Sequence, residues 1–475
     1  MQNIFTREQI IAKISQENPW WDNNSVNEYY RKLNQREYYK LFYSFLDQNQ
    51  GKVISLMGQA RVGKTIILHQ CIDELIKIKH IKPQNICYLS LKNHIYNSID
   101  LEDLLKYFIA EGPNKSFSSD IYIFFDDIQY VKEWESQLKT LASIHKKIRF
   151  IVSTSIAPGL KPGSEQITEE KFETFILPPI TFHEYISKIE QHEHLVISKK
   201  KNDEGNDNEE AFEELNKHFI GYINYGGFPE ISISDESNIS HEKQIKSICD
   251  RILLIDLPGL YGIDDIQELN ALFSYFAMNS GSEMSINSIA FSSGISKNTI
   301  KKYINYLQRA FLIKIIQRID HNAKQFERAN FFKVYLTNPC MRTALFSSIK
   351  RDDPFMPNMV ETALFSQYTN NYIYDDVLQY ARWAGGEIDL VFLNHSHKPI
   401  AVLEIKWSKG QFEKPEELKN VNYFCGNHNI SSATITTVDM EETLTQNDFH
   451  YKFIPASLYC YESLKNLMEM KLMGW

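Results

Sequence analysis

The stretch from Val53 to Ile76, VISLMGQARVGKTIILHQCIDELI, constrains the fold more than any other part of the chain. A short apolar run, a glycine loop and apolar residues at helical spacing call for a strand, a turn and a helix in that order. Within it, Gly58 to Thr65 fits G-x-x-x-x-G-K-[ST]. Gly58 and Gly63 let the backbone wrap so that its N–H groups, those of Arg61 and Val62 among them, point at phosphates together with the helix N-terminus. Lys64 is expected to reach the β/γ-phosphates of ATP, and the Thr65 hydroxyl to ligate Mg²⁺.

Such a site needs a second strand that ends in acid. IYIFFDDIQ supplies it, with Ile121 to Phe125 followed by Asp126 and Asp127. Asp126 is expected to hold the Mg²⁺ through water, and Asp127 to polarise the attacking water in ATP hydrolysis. An aspartate there is one methylene shorter than the glutamate common at this position. IRFIVSTS reads as a further buried strand, with Ser153 at its end as a polar sensor of the γ-phosphate, although strand ends often carry serine in any case. Apolar strands beginning at Val53, Ile86, Ile121, Ile148 and Phe175, separated by helical patterns, imply an α/β domain built on a parallel sheet covered on both faces.

The 475 residues suffice for about three domains. Hydrophobic and charged fractions of 43% and 23% are those of globular protein. No apolar run is long enough to cross a bilayer and no signal-peptide pattern opens the chain, so a cytoplasmic protein with no membrane partner is expected. Six scattered cysteines without a C-x-x-C pair argue against a disulfide framework or a zinc site. A net charge of −9 excludes a chain that coats nucleic acid over its whole surface but leaves room for a local basic patch.

That patch falls in the middle. Ser198 to Leu215 has almost no apolar residues before Ala211 and Phe212 and reads as an exposed linker. Beyond it, Ile286, Ile289 and Ala290 form one short amphipathic helix, Gly294 a turn, and Ser296 the N-cap of a second helix through Leu307. A strand-like run follows, which is helix-turn-helix grammar with a wing. From Ser296 to Lys333, nine Lys and Arg stand against Asp320 and Glu327, a local charge of +7. Lys297, Lys301 and Lys302 on the second helix are the expected DNA-phosphate contacts. The competing reading is a lid or subunit contact.

Glu387 to Trp407, EIDLVFLNHSHKPIAVLEIKW, reads as two strands joined by a polar loop. Closure about Ser396 and His397 pairs Val391 with Val402, Leu393 with Ile400 and Asp389 with Glu404. Two carboxylates then face each other, which destabilises the pair unless a cation resolves it. Residues two apart share a strand face, so Glu404 and Lys406 point the same way.

ENPWW (Glu17–Trp21), GQARVGKT, FFDDIQYVKEWESQLK and LPPITFHEY (Leu177–Tyr185) together resemble a bacterial and archaeal family of AAA+-type P-loop ATPases with a winged helix and a C-terminal restriction-endonuclease-like domain of unknown function. The likeness continues through YGGFPE, DLPGLYGIDD, YARW, GEIDLV and EIKW, over nearly the whole chain. One departure is that the family's Gly-Arg before LPP is here Glu170 and Lys171; a phosphate-sensing role for Lys171 would lack arginine's planar fork. The resemblance implies an ATPase domain with its N-terminal extension over 1–190, a linker and helical subdomain over 191–275, a winged helix over 276–345 and the nuclease-like domain over 346–475. It makes Asp389, Glu404 and Lys406 a D…E-x-K constellation in which Asp389 and Glu404, joined by Glu361 from a preceding helix, bind Mg²⁺ while Lys406 orients water. The expected function is an ATPase whose nucleotide state controls DNA binding and metal-dependent DNA cleavage. The alternative is a nucleotide-switch scaffold with an inactive nuclease-like domain. A homo-oligomer is compatible with either.

Overall fold

The computed structural model describes residues 5–111, 120–158, 172–189, 207–232, 237–324, 331–368, 377–408 and 418–462. The chain divides into two compact units, Met1–Pro178 and Pro179–Trp475.

Unit 1 is built on strands β1 (Val53–Met57), β2 (Ile86–Ser90), β3 (Ile121–Asp126), β4 (Ile148–Thr154) and β5 (Phe172–Ile176), paired in parallel in the order β2-β3-β4-β1-β5. Every residue of β1 and β3 is buried, as a strand covered on both faces requires. Helices α1 (Arg7–Glu17), α2 (Lys64–Lys77), α3 (Leu101–Glu111) and α4 (Trp134–Ile144) supply the covering layers. One core cluster joins Ile10 and Ile14 of α1 to Leu104, Phe125, Leu138 and Phe150.

Strand β2 lies at an edge of the sheet, where unpaired main-chain groups invite another strand. Side chains of the ENPWW segment take the place of that neighbour. The Trp20 and Trp21 indoles donate to the Ile86 carbonyl at 3.1 and 2.8 Å. The Asn18 amide meets both the N–H and the carbonyl of Tyr88, at 2.7 and 2.8 Å, and Glu17 accepts from Ser90 N at 3.2 Å. The groups met belong to residues 86, 88 and 90, whose main chain faces outward by strand alternation.

Unit 2 carries strands β6 (Glu283–Ser285), β7 (Ile313–Ile319), β8 (Phe331–Leu336), β9 (Leu378–Trp383), β10 (Gly386–Leu393), β11 (Pro399–Glu404), β12 (Ser432–Thr437), β13 (Glu442–Gln446) and β14 (Phe449–Pro455). They form one sheet in the order β13-β14-β12-β11-β10-β9-β7-β8-β6. The join between its two halves is the parallel pair β7–β9, with Arg318 beside Tyr380 and Ile319 beside Ala381. Segments 191–275, 276–345 and 346–475 thus share one compact unit, and their separation remains a division made on the sequence.

Helix α5 (Asp207–Tyr225) begins inside the stretch expected to be an exposed linker. Phe212, Leu215, Phe219 and Tyr222 continue a buried helical stripe, and this apolar spacing overrides the acidic composition of its first turns. Helices α6 (Ile286–Ser293) and α7 (Lys297–Arg309) form the expected pair, with Gly294 left-handed between them and Ser296 capping α7 at Thr299 N. Helix α8 (Met356–Tyr368) packs almost wholly inside the unit, its Val360, Ala363, Leu364 and Phe365 buried in the main core cluster.

Candidate functional site

In unit 1 the glycine loop is clamped before the helix begins. Gly58 has φ +151°, and a Cβ there would stand 2.3 Å from the Leu177 carbonyl oxygen, so only glycine fits. Leu177 N in turn donates to Met57 O at 2.8 Å. Arg36 bridges the Val62 and Pro178 carbonyls at 2.7 and 3.1 Å. These contacts give Leu177 and Pro178 a structural task beside the loop. Gly63, at φ +101°, precedes α2 without a side-chain cap, which suits a helix start whose N–H groups face an anion.

The residues expected to handle nucleotide are brought together. Lys64 Nζ donates to the Gly58 and Gln59 carbonyls, both at 2.8 Å. Burial pushes its pKa down to about 8, against the pull of Asp127 and Asp126. Thr65 Oγ1 donates to Asp126 Oδ2 at 2.7 Å. Ser153 does not stand free toward a phosphate: its hydroxyl donates to Asp126 Oδ1 and accepts from Asp127 N at 3.0 Å, so it fixes both aspartates. Asp127 has φ 55°, a left-handed geometry that short Asp tolerates better than longer side chains. Burial, reinforced by Asp126, holds the Asp127 carboxyl above its usual range, with Lys64 opposing. Lys171 lies outside the described residues.

Two residues join this site without a role that the sequence alone suggests. Tyr88, on β2, donates to Asp126 Oδ2 at 2.7 Å, and Gln129 donates to Asp127 Oδ1 at 2.9 Å. A polar residue on the strand beside β3, opposite the acid end, is the only signal that could have pointed to Tyr88. Thr65 and Asp126 present adjacent oxygens that suit a Mg²⁺ otherwise held by phosphate and water.

In unit 2 the hairpin keeps Val391 opposite Val402, but Leu393 pairs with Pro399 rather than Ile400. A bulge between Phe392 and Leu393 shifts the register there, while the loop closes through Asn394, whose side chain accepts from Ser396 N and Lys398 N. Asp389, Glu404 and Lys406 do meet. Lys406 Nζ is 2.6 Å from Glu404 Oε1 and 3.9 Å from Asp389 Oδ2, and Asp389 Oδ2 also accepts from Ile405 N at 2.8 Å. Burial, reinforced by Asp389, pushes Glu404 up to about 8 against the pull of Lys406.

The metal set expected from Glu361, Asp389 and Glu404 does not converge. Among the described residues, no three His, Cys, Asp or Glu side chains are placed to hold a metal ion. An ammonium takes the central position instead: Lys333 Nζ, on β8, lies 2.9 Å from Glu361 Oε1, 2.8 Å from Glu387 Oε1 and 3.8 Å from Asp389 Oδ1. Lys333 is 3% exposed. Glu361 also accepts from the Tyr335 hydroxyl at 2.5 Å. A second group lies alongside, with Glu283 meeting Arg318 at 3.6 Å, Arg382 at 3.3 Å and the Tyr380 hydroxyl at 2.9 Å. Lys333 and Arg318, part of the basic excess of the middle segment, both face carboxylates of their own unit. Lys297, Lys301 and Lys302 are exposed on α7.

Residues 50–186 match the family model of an AAA domain, and residues 216–353 that of a domain of unknown function, DUF8612. An uncharacterized protein of Methanocaldococcus jannaschii is 26% identical over 412 residues, covering 83% of this chain and 86% of its own. One of Haemophilus influenzae is 25% identical, over 66% of this chain and 74% of its own. AMPPCP-bound DnaA from Aquifex aeolicus aligns at 17% identity, 60% of this chain and 98% of that one, with a TM-score of 0.27. C. elegans PCH-2 aligns at 9%, over 42% of this chain and 52% of its own, with a TM-score of 0.23. Those scores are too low to carry an argument. The AAA match and the loop geometry agree that unit 1 holds a P-loop ATPase-type domain. No helix among the described residues is long and apolar enough to cross a membrane.

Proposed function

We propose that the chain is an ATP-hydrolysing switch whose nucleotide state governs DNA binding by unit 2. The observation that carries the ATPase reading is the Thr65–Asp126 contact beside Lys64 and Asp127. In this reading Lys64 leaves its loop carbonyls for the β/γ-phosphates, and Thr65 with Asp126 would hold a Mg²⁺, which offsets phosphate charge. Asp127 takes the proton of the attacking water, a task to which its raised carboxyl is suited, and Gln129 and the Ser153 hydroxyl keep it in place. Asp127→Asn should leave ATP affinity within a factor of about two and slow hydrolysis by about a hundredfold or more. Calorimetry and a phosphate-release assay read the two effects; equal hydrolysis in variant and wild type would remove Asp127 from the role of base.

The DNA reading rests on three exposed lysines on one helix, in a helix-turn-helix pair followed by a β-hairpin, the pattern of a winged helix. Alanine at Lys297, Lys301 and Lys302 should flatten the salt dependence of DNA binding by roughly one log–log unit per lost phosphate contact. An unchanged slope would assign the helix to packing. Lys333 favours a second reading of the C-terminal part, in which the nuclease-like site binds without cutting, because its acids already hold a cation of the chain's own. Plasmid incubated with ATP and Mg²⁺ tests that reading; nicking lost in Asp389→Asn would refute it.

A further inference from the structure

The facing carboxylates of the hairpin already share Lys406, and a second cation reaches Asp389 from 56 residues earlier in the chain. Lys333 sits in the middle of three strands, opposite Glu283 on β6 and Ile316 on β7, so its main chain cannot withdraw without breaking the sheet. Its ammonium is shared by Glu361, Glu387 and Asp389. Five carboxylates gather here (Glu283, Glu361, Glu387, Asp389 and Glu404) with four cations (Arg318, Lys333, Arg382 and Lys406), a formal charge of 4 − 5 = −1. With every carboxyl ionised, the count without Lys333 would be 3 − 5 = −2, an excess of acid that a cation would relieve. Among the described residues, Glu404 Oε2 is buried with no hydrogen-bond partner, while Oε1 of the same carboxyl is held by Lys406 at 2.6 Å. A buried carboxyl oxygen without a partner is costly.

We propose that Lys333 is an internal counter-cation for this carboxylate group, and that a divalent metal ion binds Glu361, Asp389 and Glu404 only when that ammonium is absent or displaced. The site is then a latent metal site, and Lys333 and the metal are mutually exclusive occupants. No electron or proton transfer is involved; one cation replaces another. The inference rests on reading the hairpin as a D…E-x-K site. Tyr380, whose ring centre is 5.3 Å from the Lys333 ammonium, offers a face for the displaced charge.

The test uses the full chain without nucleotide, melted in EDTA and in Mn²⁺, with Mn²⁺ binding followed by calorimetry. Wild type should show no Mn²⁺ response that depends on Asp389, judged against Asp389→Asn. Lys333→Met should melt several degrees lower in EDTA and recover in Mn²⁺, because a ligand bound only by the folded state raises its stability. The double variant Lys333→Met/Asp389→Asn should not recover. An Asp389-dependent Mn²⁺ shift in wild type would overturn the proposal while leaving the D…E-x-K reading intact. A folded Lys333→Met that ignores Mn²⁺ would overturn both. Should Lys333→Met not fold, Lys333→Gln, which keeps a donor toward the carboxylates, carries the same expectations.

Discussion

Each unit gathers lysine and paired carboxylates, and the two gatherings work in opposite ways. In unit 1, Lys64 donates to main-chain carbonyls of its own loop, and Asp126 is served by neutral hydroxyls from Thr65, Tyr88 and Ser153. In unit 2 the acids are met by charged groups of the chain, Lys333 above all. Burial lowers the Lys64 pKa because carbonyls replace only part of its hydration. Burial acts on Lys333 in the same sense, yet Tyr335 and the three surrounding acids outweigh it and hold its pKa above the ordinary lysine value. A lysine kept off its acids is available to a phosphate; a lysine bound among them is part of the fold.

The sharpest way to break this comparison is to remove both ammonium groups in turn. Lys333→Met in metal-free buffer should cost unit 2 about 3–5 kcal/mol, the usual penalty for leaving buried carboxylates without their partner. Lys64→Met should leave the melt of unit 1 near wild type and weaken ATP binding by about a hundredfold, or about 3 kcal/mol. Similar losses of stability in the two variants, read by urea melts, would erase the distinction.

A somewhat smaller effect in unit 1 follows pH. His69 is stacked on Tyr30 with ring centres 3.8 Å apart and packs on Tyr88 at 4.4 Å; burial pushes its pKa down to about 4 from the ordinary 6.5. Between those values the unfolded chain holds a proton that the folded state refuses. Stability is therefore lost as pH falls through this window, approaching about 3 kcal/mol. His69→Phe should remove most of that slope in urea melts at pH 7 and 4.5; a slope unchanged by the substitution would place the acid sensitivity elsewhere.

The smallest effect concerns the neutral partners of Asp126. Tyr88→Phe keeps the ring and deletes one hydrogen bond, worth about 1 kcal/mol. It should raise the Mg²⁺ concentration needed for half-maximal ATP hydrolysis and leave ATP binding in EDTA unchanged. A fall in ATP binding without metal would mean that Tyr88 serves packing alone.

Local pattern made much of this legible. The five strands of unit 1 begin where apolar runs begin, except that β5 starts at Phe172, three residues before Phe175. The glycine loop and the acid-tipped β3 stand side by side because parallel strands bring their carboxyl ends to one edge. Asp389, Glu404 and Lys406 were also readable, since hairpin register is set within twenty residues. Lys333 was not: it lies in a run of Lys and Arg whose composition suggests solvent, and only the pairing of β7 with β9 carries that segment to the acids of the hairpin. Tyr88 was hidden for a similar reason, as its partner sits on another strand. The bulge after Phe392 arises from how the loop closes through Asn394, a detail invisible to alternation.

The ENPWW segment has a consequence in time as well as in space. Domains emerge from synthesis N-terminal end first, and an open strand edge is most prone to wrong pairing while its own domain is incomplete. Residues 17–21 are made before residues 86–90, so the edge of β2 meets its guard as it forms. A chain in which Asn18 and both tryptophans were replaced by alanine would still encode every strand of unit 1, but each newly made copy would pass through a period with a bare edge among other newly made copies. The yield of soluble protein at high expression, rather than the activity of the molecules that survive, is where that loss would register.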